Sequence, residues 1–118
     1  MNYTIHEEKK FRYIEVGKGE PLILLHGLFG ALSNFKDLVE HFRTTHKVVV
    51  PILPLFDLDI FHTSITGLAK HVHKFIEHKG YTNIHLLGNS LGGHVGLVHV
   101  LKHPENIKTL TLTGSSGL

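Results

Sequence analysis

Gly88-Asn89-Ser90-Leu91-Gly92 places a serine between two glycines, and it is the stretch of this chain best suited to chemistry. The short apolar run Ile84–Leu87 precedes it. Leu91, Val95, Val98 and Leu101 follow at helical spacing until Pro104 stops the helix. Ser90 is therefore expected at a strand-to-helix turn, and G-x-S-x-G in that setting is the pattern of a nucleophile elbow. Gly88 and Gly92 have a mechanical reason: the tight crossing leaves no room for a Cβ two residues to either side of the serine. Strain at Ser90 would hold its hydroxyl clear of the backbone. The helix beyond would turn its N-terminal dipole and free N–H groups towards developing negative charge.

A serine hydroxyl attacks only when a base takes its proton. After Ser90 the acids and histidines are Glu105, His94, His99 and His103, all on or just after the serine's own helix. His94 lies one turn along, which leaves a self-contained Ser90–His94 dyad as an alternative. A base on that helix does not, however, also meet an acid and the substrate in triad geometry. The acid and base are accordingly expected outside these 118 residues, and the chain alone is expected to be inactive.

Several elements must position the serine. Tyr3 to Glu7 and Phe11 to Val16 read as a hairpin turned at Glu8-Lys9-Lys10. Leu22-Ile23-Leu24-Leu25 is an unbroken apolar run, as expected of a strand buried on both faces. His26-Gly27-Leu28-Phe29-Gly30 comes directly after it. A helix capped by Ser33 or Asn34 should then bury Phe35, Leu38, Val39 and Phe42. Lys47 to Ile52 reads as a valine-rich strand limited by Pro51 and Pro54. A second helix, capped by Thr63 or Ser64 and ended at Gly80, turns Ile65, Leu68, Ala69, Val72, Phe75 and Ile76 inward. Ile107 to Thr113 is the last strand. Strands and helices that alternate in this way predict an α/β fold with a mostly parallel sheet, in one domain.

With both motifs in order, the chain resembles the α/β-hydrolase family over essentially its whole length. Leu22–Gly27 is similar to the family's third strand with its HG turn, and Gly88-Asn89-Ser90-Leu91-Gly92-Gly93 to its fifth strand and elbow, in a form similar to bacterial C–C bond hydrolases, esterases and lactonases. The resemblance implies a sheet ordered 1-2-4-3-5-6 with an N-terminal antiparallel hairpin and helices on both faces. It makes residues 1–118 the N-terminal portion of an incomplete hydrolase domain that ends at the usual lid insertion point. It also implies an oxyanion hole built from the N–H of Leu91 and that of Leu28, with Phe29 as the alternative donor. His26 and Gly27 are then a structural turn, with His26 a hydrogen-bonding residue and not the base. The apolar loop Pro51-Ile52-Leu53-Pro54-Leu55-Phe56 departs from the family pattern, and either lines a pocket or packs beneath a lid.

The activity so implied is hydrolysis of an ester, thioester, lactone or activated C–C bond in a small molecule, without a cofactor. A non-catalytic binding module on the same fold is the alternative, and a cyanohydrin lyase would use the same elbow. Hydrophobic residues at 42% and charged residues at 19% fit an ordinary globular domain. A net charge of +2 with interspersed signs gives no nucleic-acid surface, and no apolar run is long enough for a membrane span. The N-terminus lacks a signal-peptide pattern and the chain lacks cysteine, so the expected location is cytoplasmic. Twelve histidines without H-E-x-x-H spacing read as solvated surface, with no metal site. The last strand, 107–113, is expected to expose an edge for a homodimer or a complementing chain.

Overall fold

The central strands β3 (Pro21–Leu25), β4 (Lys47–Pro51) and β5 (Ile84–Asn89) take their burial from their apolar runs, and side-chain alternation divides each between two cores. The computed structural model describes residues 3–27, 35–54 and 64–114. Ile23, Leu25, Val49, Ile84 and Leu86 face one core, with Leu68, Val72, Phe75 and Val95 of the helices α2 (Ile65–Lys79) and α3 (Leu91–Lys102). Leu22, Leu24, Val48 and Val50 face the other, with Phe35 and with Val39 of α1 (Lys36–Phe42). Helices thus cover both faces, and every residue of β3 is buried. That double cover explains why its sequence shows no polar alternation.

Six strands form one mixed sheet in the order 1-2-4-3-5-6, as expected from the resemblance. The hairpin strands β1 (His6–Glu8) and β2 (Phe11–Val16) are antiparallel, and β2 is antiparallel to β4. From β4 onward, through β3 and β5 to β6 (Ile107–Thr113), each pairing is parallel. The carboxyl ends of these four strands therefore meet along one edge of the sheet, the edge where open α/β sheets bind ligands.

The first strand starts later than expected, at His6 and not Tyr3. Lys9 adopts φ 56°, and the two-residue turn sets Glu8 opposite Phe11. Tyr3 is drawn elsewhere: its hydroxyl hydrogen-bonds Glu40 of α1, and the Arg43 guanidinium lies 5.8 Å from its ring centre. Helix α1 starts after Phe35, with no capping side chain there. The expected caps Ser33 and Asn34 lie outside the described residues. Helix α2 starts at Ser64, whose Oγ accepts the Gly67 N–H at 3.0 Å, and it stops at Gly80 in the left-handed conformation, φ 73°.

Two histidine positions correct the solvated-surface reading, since His26 is only 4% exposed and His99 only 2%. On α3 the inward face runs through Gly92, Val95, Gly96 and His99, while Leu101 is 75% exposed. The reason is helical phase: two residues turn the chain by about 200°, so a helix that buries position 99 presents 101 to solvent. Burial, reinforced by the imidazoles of His73 and His103, pushes the His99 pKa down to about 4.

Candidate active site

Ser90 is the single residue between β5 and α3, at φ 55° and ψ −120°. A side chain in this region costs on the order of 1–3 kcal/mol and persists only where its surroundings impose it. Here the backbone is held on both sides. The Ser90 N–H donates to Thr113 O at 2.9 Å, and the Ser90 carbonyl accepts from Gly93 N at 3.0 Å and His94 N at 3.3 Å. The side chain makes no capping bond and the residue is exposed, so among the described residues nothing holds its hydroxyl at the sheet edge. Ser90→Gly is expected to raise stability by about 1 kcal/mol, since glycine adopts this conformation without strain. An unchanged urea midpoint would show that the serine carries no strain.

The flanking glycines are forced by contact. A Cβ on Gly88 would overlap the Gly92 carbonyl and lie 2.6 Å from Gly93 Cα. One on Gly92 would overlap the Leu25 carbonyl oxygen and lie 2.7 Å from His26 O. Parallel pairing of Leu25 with Gly88 sets the end of β3 beside the elbow. A Cβ on Gly27 would come within 3.1 Å of Ser90 Cβ and 3.5 Å of its Oγ, so the HG turn and the serine share one corner. Leu91 is the first helical residue, and the first N–H groups of a helix have no partner within it. Leu28 and Phe29 lie outside the described residues.

Both nitrogens of the His26 ring are occupied by backbone. Nε2 accepts the Leu53 N–H at 2.9 Å, which leaves Nδ1–H to donate to Gly27 O at 3.0 Å. Leu53 itself is buried in the core, while Leu55 and Phe56 of the same apolar loop lie outside the described residues. Burial lowers the His26 pKa, opposed in part by the Gly27 hydrogen bond. The sign for stability follows from this. The neutral ring contributes fully above about pH 6.5, the ordinary value, and the contribution is lost as pH falls towards the depressed folded value. The stability gap between wild type and His26→Gln should therefore narrow between about pH 7.5 and 5 in urea unfolding. A constant gap would mean that the ring does not titrate in this way.

The other titratable candidates are not gathered here. His94 sits one turn into α3, and among the described residues no imidazole or carboxylate bonds the Ser90 hydroxyl. His103 and Glu105 pair with each other at 3.3 Å beyond the far end of the helix, about 20 Å along the chain path from Ser90. Two residues to which the motif reading gave no role do belong to this corner. Thr113 Oγ1 donates to Asn89 Oδ1 at 3.0 Å, and the Thr113 carbonyl holds the Ser90 amide. With Phe35, Leu38 and Leu87 they line a cleft of about 360 Å³ on the α1 side. The parallel alignment of two strands ending at Asn89 and Thr113 is the signal that would have found them.

The fold and this corner together define a class. The family described as alpha/beta hydrolase fold matches residues 20–117, and the chain belongs to it. Lipase 1 of Psychrobacter immobilis is 30% identical over 97% of this chain. A 2-hydroxy-6-oxo-6-(2'-aminophenyl)hexa-2,4-dienoic acid hydrolase from Metapseudomonas resinovorans is 34% identical over 91% of it. Among solved structures, an alpha/beta hydrolase enzyme from a sediment metagenome of the Mar Chica lagoon, Morocco, superposes with TM-score 0.92 at 44% identity over 98% of this chain. The chain spans 38% and 39% of the two curated relatives' own lengths and 53% of the Mar Chica chain. No helix among the described residues is long and apolar enough to cross a membrane.

Proposed function

We propose that this chain carries the nucleophile half of a serine hydrolase acting on a small-molecule ester, thioester, lactone or activated C–C bond. The observation that carries the proposal is the backbone of Ser90, bent to φ 55° between two glycines that have no room for a side chain. A surface that only bound ligands would have no use for that strain. Membership of a family that includes lipases and a dienoic acid hydrolase supports the same reading.

In the proposed reaction Ser90 Oγ attacks the substrate carbonyl carbon while a histidine takes its proton. The carbonyl oxygen, now negative, is held by the Leu91 N–H together with that of Leu28, or of Phe29 in its place. Collapse of the tetrahedral adduct expels the leaving group, protonated by the same histidine, and water then releases the acyl group from Ser90. The histidine and its acid come from residues outside these 118, in a domain of which this chain is the N-terminal portion. The open edge of β6 is where a complementing chain or a second copy would join the sheet.

The test is intact mass before and after a fluorophosphonate, which captures a serine only when a base activates it. The 118-residue chain should remain folded and unlabelled, and a chain extended to a complete domain should gain one adduct, lost in Ser90→Ala. Labelling of the short chain itself would place the base within it, with His94 the first candidate. An adduct that survives Ser90→Ala would overturn Ser90 as nucleophile.

A further inference from the structure

At the far end of α3 from Ser90, three imidazoles and two carboxylates converge where α2 packs against the turn into β6. We infer that His73, His103 and Glu105 form a binding site for a divalent transition metal ion of the zinc type, with His99 beside it and Glu77 behind it. One ligand atom from each of the three residues lies within 4.8 Å of the others. His103 Nδ1 and Glu105 Oε1 are 3.3 Å apart. Donors bound at zinc distances on a tetrahedron sit about 3.4 Å from one another, so this pair is within reach of one ion once the His103 ring turns.

The surroundings favour donation. His73 Nε2 faces Glu77 Oε1 at 3.4 Å. A carboxylate there keeps the proton on Nε2 and leaves the lone pair on Nδ1, the arrangement in which a metal-bound histidine is oriented from behind. His73 Nδ1 is buried without a hydrogen-bond partner among the described residues, and so is Nδ1 of His99, a side chain 2% exposed. Two buried ring nitrogens without partners in one cluster run against the general rule that such atoms are satisfied. An ion with its bound water would satisfy them. The rings of His73 and His103 lie stacked, 3.5 Å apart and 7° from parallel. Coordination is in the ring plane, so binding must turn one of them. His103 is past the last helical residue with a side chain 37% exposed, and it has that freedom.

An opening of about 380 Å³, lined in part by His73, His99, His103 and Glu105, gives solvent access to the cluster. Glu77 and Glu105 offset Lys70 and Lys102, which border the adjoining depression. Imidazole and carboxylate donors without thiolate select zinc, copper, nickel or cobalt over calcium or magnesium. Three protein ligands leave a fourth position for water. Set apart from Ser90 by the length of α3, the ion would clamp α2 to the entry of β6 and take no part in acyl transfer.

The experiment is calorimetric titration of the untagged 118-residue chain with zinc chloride at neutral pH. Cobalt(II) absorption follows as a second readout, because tetrahedral nitrogen and oxygen ligation gives a distinct visible band. One ion per chain is expected. Affinity should fall at least about 10-fold in His103→Gln and in Glu105→Gln, and should be unchanged in His41→Gln on α1. Because His73→Gln could also loosen α2, the two more exposed variants decide. Absence of stoichiometric binding, or binding lost equally in His41→Gln, would overturn the site.

Discussion

Ser90→Ala, made in a complete domain, is expected to lower kcat by at least about 10³-fold while leaving the melting temperature nearly unchanged. The two halves of that result have separate causes. On the proposed mechanism, loss of the Oγ removes the atom that forms the acyl intermediate, leaving the proposed oxyanion donors to act on a water that nothing positions. Stability barely changes because the hydroxyl makes no capping bond and the residue is exposed, so its removal orphans no partner among the described residues. The backbone strain remains, since alanine has a Cβ as serine does. A stopped-flow burst with an activated ester, beside a thermal melt, reads both quantities. Retained turnover would remove Ser90 from the reaction.

Gly92→Ala should cost about 4 kcal/mol. The new Cβ would overlap the Leu25 carbonyl and lie 2.5 Å from its carbon. Neither side can yield: Leu25 is hydrogen-bonded within the central strand, and Gly92 is in the first turn of α3 directly after the constrained serine. Two other glycines separate this cause from the general cost of replacing glycine. At Gly80 a Cβ would meet nothing within 4 Å, but φ is +73°, so Gly80→Ala should cost about 1 kcal/mol through backbone strain alone. At Gly96 the nearest atoms are side-chain methyls at 3.5 Å, an ordinary contact, and the helix gains propensity. Gly96→Ala should therefore be neutral or stabilise by up to about 1 kcal/mol. Urea unfolding of the three variants should rank Gly96→Ala first, Gly80→Ala second and Gly92→Ala last. Any other ranking would mean that the crossing of β3 and α3 is looser than it looks.

Local chemistry accounts for what could be read before the structure. Leu22–Leu25 declares a doubly covered strand by its lack of polar alternation, and Gly88 and Gly92 declare a crowded turn because only glycine fits there. Ser64 and Gly80 mark the ends of α2 by bonds made within four residues. What stayed hidden depends on pairs distant in sequence. The partner of His26 is the amide of Leu53, and nothing near His26 points to it. Tyr3 leaves the first strand because of Glu40, on a helix. His99 takes an inward position on α3 beside two imidazoles, that of His73 on α2, 26 positions earlier in the chain, and that of His103 just past its own helix. Periodicity counted only the apolar residues of α3, and so assigned Leu101 to a face that the helix does not bury.

The bond from the Ser90 amide to Thr113 O connects the reactive corner to the margin of the sheet. Beyond β5, the elbow is tethered by a strand that, among the described residues, has a neighbour on one side only. Whenever β6 frays, Ser90 loses the acceptor that helps hold it in its unfavourable conformation and can relax. Amide exchange at this one residue would therefore report how firmly β6 is docked. Anything that zips onto the outer side of β6 would slow that exchange and stiffen the proposed nucleophile without touching it. Strand addition at the sheet margin would then act as a tensioner for the serine one strand away.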